Sequence, residues 1–154
     1  MRGLFLALLI LLASAAHAKE PVGIRANNPG NVHGIRGQVW EGSKGVDGYG
    51  YVRFQDAFYG LRALKHVLQS YFLRHHIRTV AGIRNRWVRR PKYPEQVQRL
   101  RRDILLVSRL LHVQPNQTLT WSEDTEIKLA KAIVFAENSE QPYPDSLYRA
   151  AFEN

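Results

Sequence analysis

The sequence predicts a mainly α-helical domain with a glycine-rich, irregular lobe at its N-terminal side. Residues 19–53 contain eight glycines and two prolines, a density that breaks helices and favours turns. From Asp56 onward, apolar residues recur at spacings of three and four, which is the period of amphipathic helices. The chain has no cysteine, so packing alone must stabilise it, and thiol chemistry and cysteine-based zinc sites are excluded.

Residues 1–18 have the three parts of a secretory signal peptide in the usual order. Arg2 supplies a positive charge, Leu4 to Leu12 form an apolar run, and Ala16-His17-Ala18 is a cleavage site of the A-x-A type. The run is shorter than the roughly 20 residues that span a bilayer. We therefore expect cleavage after Ala18, only transient contact with the membrane, and one exported domain of residues 19–154 in the periplasm or secreted. The alternative is an uncleaved anchor.

The elements can be predicted in order along the rest of the chain. Short alternating stretches at 38–40 and 49–54 predict a small hairpin in the glycine-rich lobe. Asp56 is placed to cap the first long helix, and Thr79 is placed to cap a second, shorter one. The apolar faces of these two helices comprise Phe58, Leu61, Leu64, Leu68 and Tyr71 in the first and Val80, Ile83 and Trp87 in the second.

Three further helices follow. The third is predicted from about Pro94, and its charged outer side includes Asp103. A capping-box pattern at residues 120–123 predicts the start of the fourth, which ends near Asn138 before two prolines. A last short helix is predicted between Pro144 and Phe152.

The chain is strongly basic, and its charge favours an anionic partner. The formal net charge of +9 becomes +8 once Arg2 is removed. For an exported protein, this charge indicates peptidoglycan or another anionic polymer of the cell envelope, whereas nucleic acid is not expected. A charge that only serves solubility is the alternative. A protein that acts on anionic membranes or lipopolysaccharide is a further alternative. One basic run is predicted to be a solvated face, and the alternative is that it binds anionic wall polymers or lipid A phosphates. The run comprises Arg84, Arg86, Arg89, Arg90, Lys92, Arg99, Arg101 and Arg102.

Glu137 is the most informative carboxylate in the sequence. It follows Ile127 by ten residues and so shares the apolar face of the fourth helix, near the helix end. Burial and the negative end of the helix dipole both favour the protonated form of a carboxyl group, which suits a general acid. A solvated or salt-bridged glutamate is the alternative. Glu41, beside Trp40 in the glycine-rich lobe, is the rival candidate.

Five blocks of the sequence, in this order and spacing, resemble a family found in phages and prophages. The family opens with Gly-Ile-Arg and Asn-Asn-Pro-Gly-Asn, as in residues 23–31, and continues with the blocks matched at residues 40–42, 54–63, 79–87 and 137–143. The chain departs from the family pattern at residues 88–93, at Ser139 and at Ala26.

The resemblance implies a lysozyme-like helical protein that cleaves peptidoglycan, as a lytic transglycosylase or a muramidase, with Glu137 as its single general acid and base. A non-catalytic wall-binding or virion structural protein on the same scaffold is the alternative, which the departures favour. The scattered histidines lack ligand spacing, so no metal is expected, and neither a cofactor nor an oligomer is expected. Seven residues are candidates for substrate binding: Asn27, Asn28, Asn31, Trp40, Asn138, Gln141 and Tyr143.

Overall fold

The computed structural model describes residues 19–88 and 91–153. The expected signal peptide and two members of the basic run, Arg89 and Arg90, lie outside the described residues. The helices are α1 (Val22–Arg25), α2 (Ala57–Gln69), α3 (Val80–Trp87), α4 (Pro94–Leu111), α5 (Glu123–Asn138) and α6 (Asp145–Phe152), and the strands are β1 (Ser43–Val46) and β2 (Val52–Phe54). The mainly helical class is confirmed. None of these helices is long and apolar enough to cross a membrane.

Three of the described helices have an N-cap residue whose side chain accepts a hydrogen bond from the first turn. Asp56 accepts a hydrogen bond from the backbone N–H of Phe58 at 2.8 Å, and Thr79 accepts one from Gly82 at 3.0 Å, so both predicted caps are confirmed. The predicted start of α5 was two residues early, because its cap is Ser122 and not Thr120. Ser122 Oγ accepts from the Thr125 N–H at 3.1 Å, and the ring of Trp121 just before it packs on Phe72, with 4.4 Å between the ring centroids.

The N-terminal lobe contains a two-stranded antiparallel hairpin. Ser43 lies opposite Phe54 and Val46 opposite Val52, with an irregularity between them. The predicted second strand is confirmed, but residues 38–40 form no strand. Trp40 instead packs in a small apolar cluster with Val32, Val52, Phe54 and Ala63. Side-chain packing therefore decides the conformation at this position.

α2 and α5 carry the centre of the main core. Leu61, Leu64 and Leu68 of α2 are fully buried, as are Leu129 and Ile133 of α5. α6 packs on α2, while α4 packs on both α3 and α5. α2 continues into a π-helical turn over Ser70–Arg74, which the apolar period did not predict. This arrangement brings the C-terminal end of α5 next to α1 and the N-terminal lobe.

Glu126, in the first turn of α5, is a buried acid, and it makes stability depend on pH. Burial raises its pKa to about 7, although the nearby Lys65 ammonium opposes that shift. The ordinary pKa of a glutamate side chain is 4.5, which is the value expected in the unfolded chain. The folded protein thus holds this proton more tightly, and its stability falls as pH rises from about 4.5 to about 7.

Replacing Glu126 with glutamine should remove this dependence, because the amide has the same size and carries no charge. We expect the variant to be more stable than the wild type at pH 8 by on the order of 2 kcal/mol, with a much smaller difference at pH 4.5. Urea unfolding at both pH values measures this. Glu95→Gln, at an exposed position of α4, is the control. An equal difference at both pH values would contradict the expectation.

Candidate active site

Two sequence motifs more than a hundred residues apart meet at the end of α5. The Asn31 amide donates a hydrogen bond to Oε2 of Glu137 at 3.0 Å. Next to it, the Asn138 amide donates to the backbone carbonyl of Pro29 at 2.7 Å. The opening Asn-Asn-Pro-Gly-Asn turn and the Glu-Asn pair that ends α5 therefore form one structural unit.

The turn that presents Asn31 is held by its own asparagines. The buried Asn28 side chain accepts from the Val32 N–H at 2.8 Å and donates to the carbonyls of Val32 and Val52 at 2.9 and 2.8 Å. Asn27 donates to the Gln55 carbonyl at 3.1 Å. Asn27 and Asn31 have left-handed backbones, with φ of 54° and 51°, a conformation that asparagine tolerates better than most residues. These contacts fix the turn against β2 and leave Asn31 facing Glu137.

A close approach of backbone and side chains at Gly23 completes this unit. A Cβ atom added there would lie 2.5 Å from Oδ1 of Asn138 and 2.7 Å from Oδ1 of Asn31. Any residue larger than glycine at position 23 would therefore clash with the side chains of Asn31 and Asn138, which lie on either side of Glu137. The absence of a side chain at Gly23 is a packing requirement of the site.

Both carboxylate oxygens of Glu137 have partners. Oε2 accepts from Asn31, and Oε1 accepts from Nη2 of Arg84 at 2.7 Å. The side chain is 18% exposed, so it is half-buried at the end of an apolar helical face, as the sequence predicted. The contact with Arg84 shows that Glu137 forms a salt bridge, as one of the sequence-based alternatives proposed. The sequence did not predict that Arg84 is its partner.

Arg84 is a buried cation shared by two carboxylates. It is 1% exposed, and it binds Asp103 of α4 as well as Glu137 of α5. Burial lowers its pKa, but the charges of Glu137 and Asp103 outweigh that effect and leave the pKa raised. The guanidinium thus stays charged and joins α3, α4 and α5 behind the site.

The prediction of a solvated face was wrong for Arg84, and the placement of Asp103 on an outer side was also wrong. The physical reason can be read from the helical spacing. Arg84 is four residues after Val80 and three before Trp87, so it lies on the inner face of α3. Asp103 lies between Leu100 and Val107 on α4 in the same way. The helical spacing that places Glu137 on an apolar face therefore also places Arg84 and Asp103 on inner faces.

Glu137 and Asn31 line a cavity of about 610 Å³ between the N-terminal lobe and the ends of α3, α4 and α5. Tyr51 and Trp87 give it aromatic walls, and the exposed Lys92 and Arg99 add positive charge at its edge. Burial raises the pKa of Tyr51, and the charges of Glu137 and Asp47 raise it further. The Tyr51 hydroxyl therefore remains protonated at neutral pH and can donate a hydrogen bond into the cavity.

The structure places several other predicted residues away from the lining of this cavity. Asn27, Asn28 and Asn138 hold the backbone, as described above. Gln141 bonds the backbone N–H and carbonyl of Tyr143 and accepts from the Tyr148 hydroxyl, and Tyr143 packs against the main core. Their observed contacts are structural, and their role in substrate binding stays a prediction.

The rival candidate Glu41 lies in a different place. Its side chain is exposed and is 3.5 Å from the guanidinium of Arg62. Together with Trp40 it lines a second groove, which has no lining residue in common with the cavity at Glu137. The structure therefore keeps the two candidate carboxylates in separate sites, and Trp40 belongs to the site of Glu41.

The described part of the chain, residues 19–88 and 91–153, contains no group of three histidine, aspartate or glutamate side chains placed to hold a metal ion. The groups that line the cavity and can take part in chemistry include Glu137, the Asn31 amide, the Tyr51 hydroxyl, and the cations Lys92 and Arg99 at its edge.

Comparison with known proteins gives one distant similarity. No family model matches the chain. Protein P5 of Pseudoalteromonas phage PM2 is 27% identical over 134 residues, an alignment that covers 85% of this chain and 79% of the phage protein. The similarity therefore extends over most of both proteins.

Proposed function

We propose that the protein is an exported enzyme that cleaves peptidoglycan, of the lytic transglycosylase or muramidase type, on a lysozyme-like scaffold. The observation that carries the proposal is the pairing of Glu137 with Asn31 at the wall of a cavity. It unites the first and last blocks of the resemblance in one place. The similarity to a phage protein agrees with the phage and prophage setting of that resemblance.

One carboxyl group is enough for the transglycosylase reaction. Glu137 donates its proton to the glycosidic oxygen while the bond from that oxygen to the muramic acid C1 breaks. The 6-hydroxyl of the same sugar then attacks C1, and its proton passes to the Glu137 carboxylate. The reaction needs no enzyme nucleophile and no second carboxylate at the sugar, and Glu137 ends in its starting form.

The charge balance behind Glu137 permits this proton transfer. Arg84 carries one positive charge and contacts the carboxyl groups of both Glu137 and Asp103, and the reaction starts from the form in which Glu137 holds a proton. When Glu137 takes up a proton, Arg84 keeps Asp103 as a charged partner, so no buried charge is left unpaired. Asn31 orients the carboxyl group in either state, because its amide can donate to the oxygen that carries no proton.

The cavity walls suit a charged sugar polymer. The rings of Tyr51 and Trp87 offer apolar faces for sugar rings. Lys92 and Arg99 can attract the carboxylates of the wall polymer. An exported basic protein also meets the wall before most other anionic partners.

The proposal is tested by incubating protein that begins at Lys19 with purified sacculi and identifying the soluble products. Muropeptides with an anhydro end would support a lytic transglycosylase, and muropeptides with a reducing end would support a muramidase. Absence of soluble muropeptides would reject the enzymatic proposal.

A second candidate function is a non-catalytic wall-binding or virion structural protein. It is favoured by the two contacts that occupy both oxygens of Glu137, as in a purely structural ion pair. It predicts that the protein sediments with sacculi without releasing any product. Protein that neither sediments with sacculi nor cleaves them would reject both functions.

A further inference from the structure

The second groove, which contains Trp40 and Glu41, has a volume of about 1230 Å³ and is twice the size of the cavity at Glu137. It lies between residues 35–41 of the N-terminal lobe, residues 66–75 of α2 and its π-helical extension, and the end of α3 at Asn85 and Arg86. The proposed peptidoglycan reaction uses none of these residues. The proposed reaction at Glu137 therefore gives this groove no role.

Three aliphatic side chains on this groove are open to solvent. Val39 is 93% exposed, Leu73 is 57% exposed and Ile35 is 49% exposed. Single exposed aliphatic residues are common on protein surfaces, but a group of them around one concave surface marks a binding site. The groove thus offers apolar contact to an aliphatic ligand.

The same groove carries an excess of positive charge. Arg74 and Arg86 line it, and neither takes part in an ion pair found among residues 19–88 and 91–153. Its carboxylate, Glu41, is already paired with Arg62. An arginine without a carboxylate partner binds phosphate well, because its planar fork can donate two parallel hydrogen bonds.

Two features of the backbone and core indicate that the groove is a built site. Leu73 and Arg74 belong to the π-helical turn, a rare conformation that occurs frequently at functional sites. Trp40, which is 9% exposed and lines the groove, has an indole N–H without a hydrogen-bond partner in the described part of the chain. Buried donors are normally paired, so an unpaired N–H at the groove is an exception that a bound ligand would explain.

We propose that the second groove binds an anionic phospholipid at a membrane surface. The acyl chain lies along Ile35, Val39 and Leu73, and the phosphate lies between Arg74 and Arg86. An aliphatic wall beside two unpaired arginines matches this amphiphile better than it matches a sugar, which lacks the aliphatic chain. The proposal does not depend on the activity at Glu137.

The test measures co-sedimentation of the protein that begins at Lys19, since the described core lies within residues 19–153. Vesicles contain either phosphatidylcholine alone or equal parts of phosphatidylcholine and phosphatidylglycerol. We expect binding to the anionic vesicles and much weaker binding to the neutral ones. Absence of binding to the anionic vesicles would overturn the proposal.

Matched variants separate a specific groove from general charge attraction. The double variant R74Q/R86Q should weaken binding to anionic vesicles at least about tenfold, whereas R101Q/R102Q, an equal charge change at exposed positions of α4, should have a much smaller effect. V39D should weaken binding more than V46D, which alters an exposed valine outside the groove. Equal losses within either pair would overturn the proposal. All six substituted positions are exposed.

Discussion

Replacing Arg84 with methionine is expected to lower the free energy of unfolding by about 3–5 kcal/mol, the usual cost of removing one partner from a buried ion pair. Methionine preserves much of the side-chain volume and adds no new polar group. What it removes is the cation between Glu137 and Asp103, so two largely buried carboxylates lose their counter-charge. Urea unfolding at neutral pH measures the change.

Two further variants test the physical reason for that loss. Arg86→Met changes an exposed residue of the same helix and should alter stability by less than about 1 kcal/mol. The triple variant R84M/D103N/E137Q removes the two negative charges together with the positive one, and it should recover a large part of the lost stability. A triple variant as unstable as R84M would show that packing, and not charge, explains the effect.

Replacing Glu137 with glutamine is expected to lower the rate of muropeptide release from sacculi by at least about 100-fold, the range in which general acid–base groups contribute. Glutamine has the same size and can still accept from Arg84 through its one amide oxygen, while its NH2 group takes the place of the oxygen that accepts from Asn31. It cannot deliver a proton to the glycosidic oxygen. Release of soluble muropeptides over time measures the rate, and sedimentation with sacculi should be unchanged.

Glu140→Gln is the matched control for this experiment, because Glu140 lies only three residues further along the chain and is exposed. It should retain the wild-type rate. If Glu137→Gln cleaves sacculi within about twofold of the wild-type rate, the general acid of the reaction is another residue. The rival Glu41 would then be the next carboxylate to replace.

The helices could be predicted from the sequence because their signals are local. The caps at Asp56 and Thr79 and the apolar stripes of α2, α3 and α4 depend on residues within a few turns of each other. The first strand of the hairpin was mispredicted because the position of Trp40 is set by residues far away in the sequence. Local alternation could not show that this ring belongs to a core.

The candidate site could be predicted only in part for a similar reason. Glu137 and Asn31 stood out by their positions in motifs, but no sequence pattern showed that they touch. Arg84 was overlooked because it lies among many other basic residues, most of which do face solvent in the described part of the chain. Its two carboxylate partners come from other helices, so the pairing exists only in three dimensions.

The contact between Asn31 and Glu137 joins residues 106 positions apart, which has a consequence for when the site can form. Closing so long a loop has an entropic cost that must be offset by packing of the segments between. α5 must dock against the N-terminal turn before the cavity exists, so a chain that ends before α5 presents the first motif without a site. Activity that depends on Glu137 therefore requires that the N-terminal turn and α5 have already packed together.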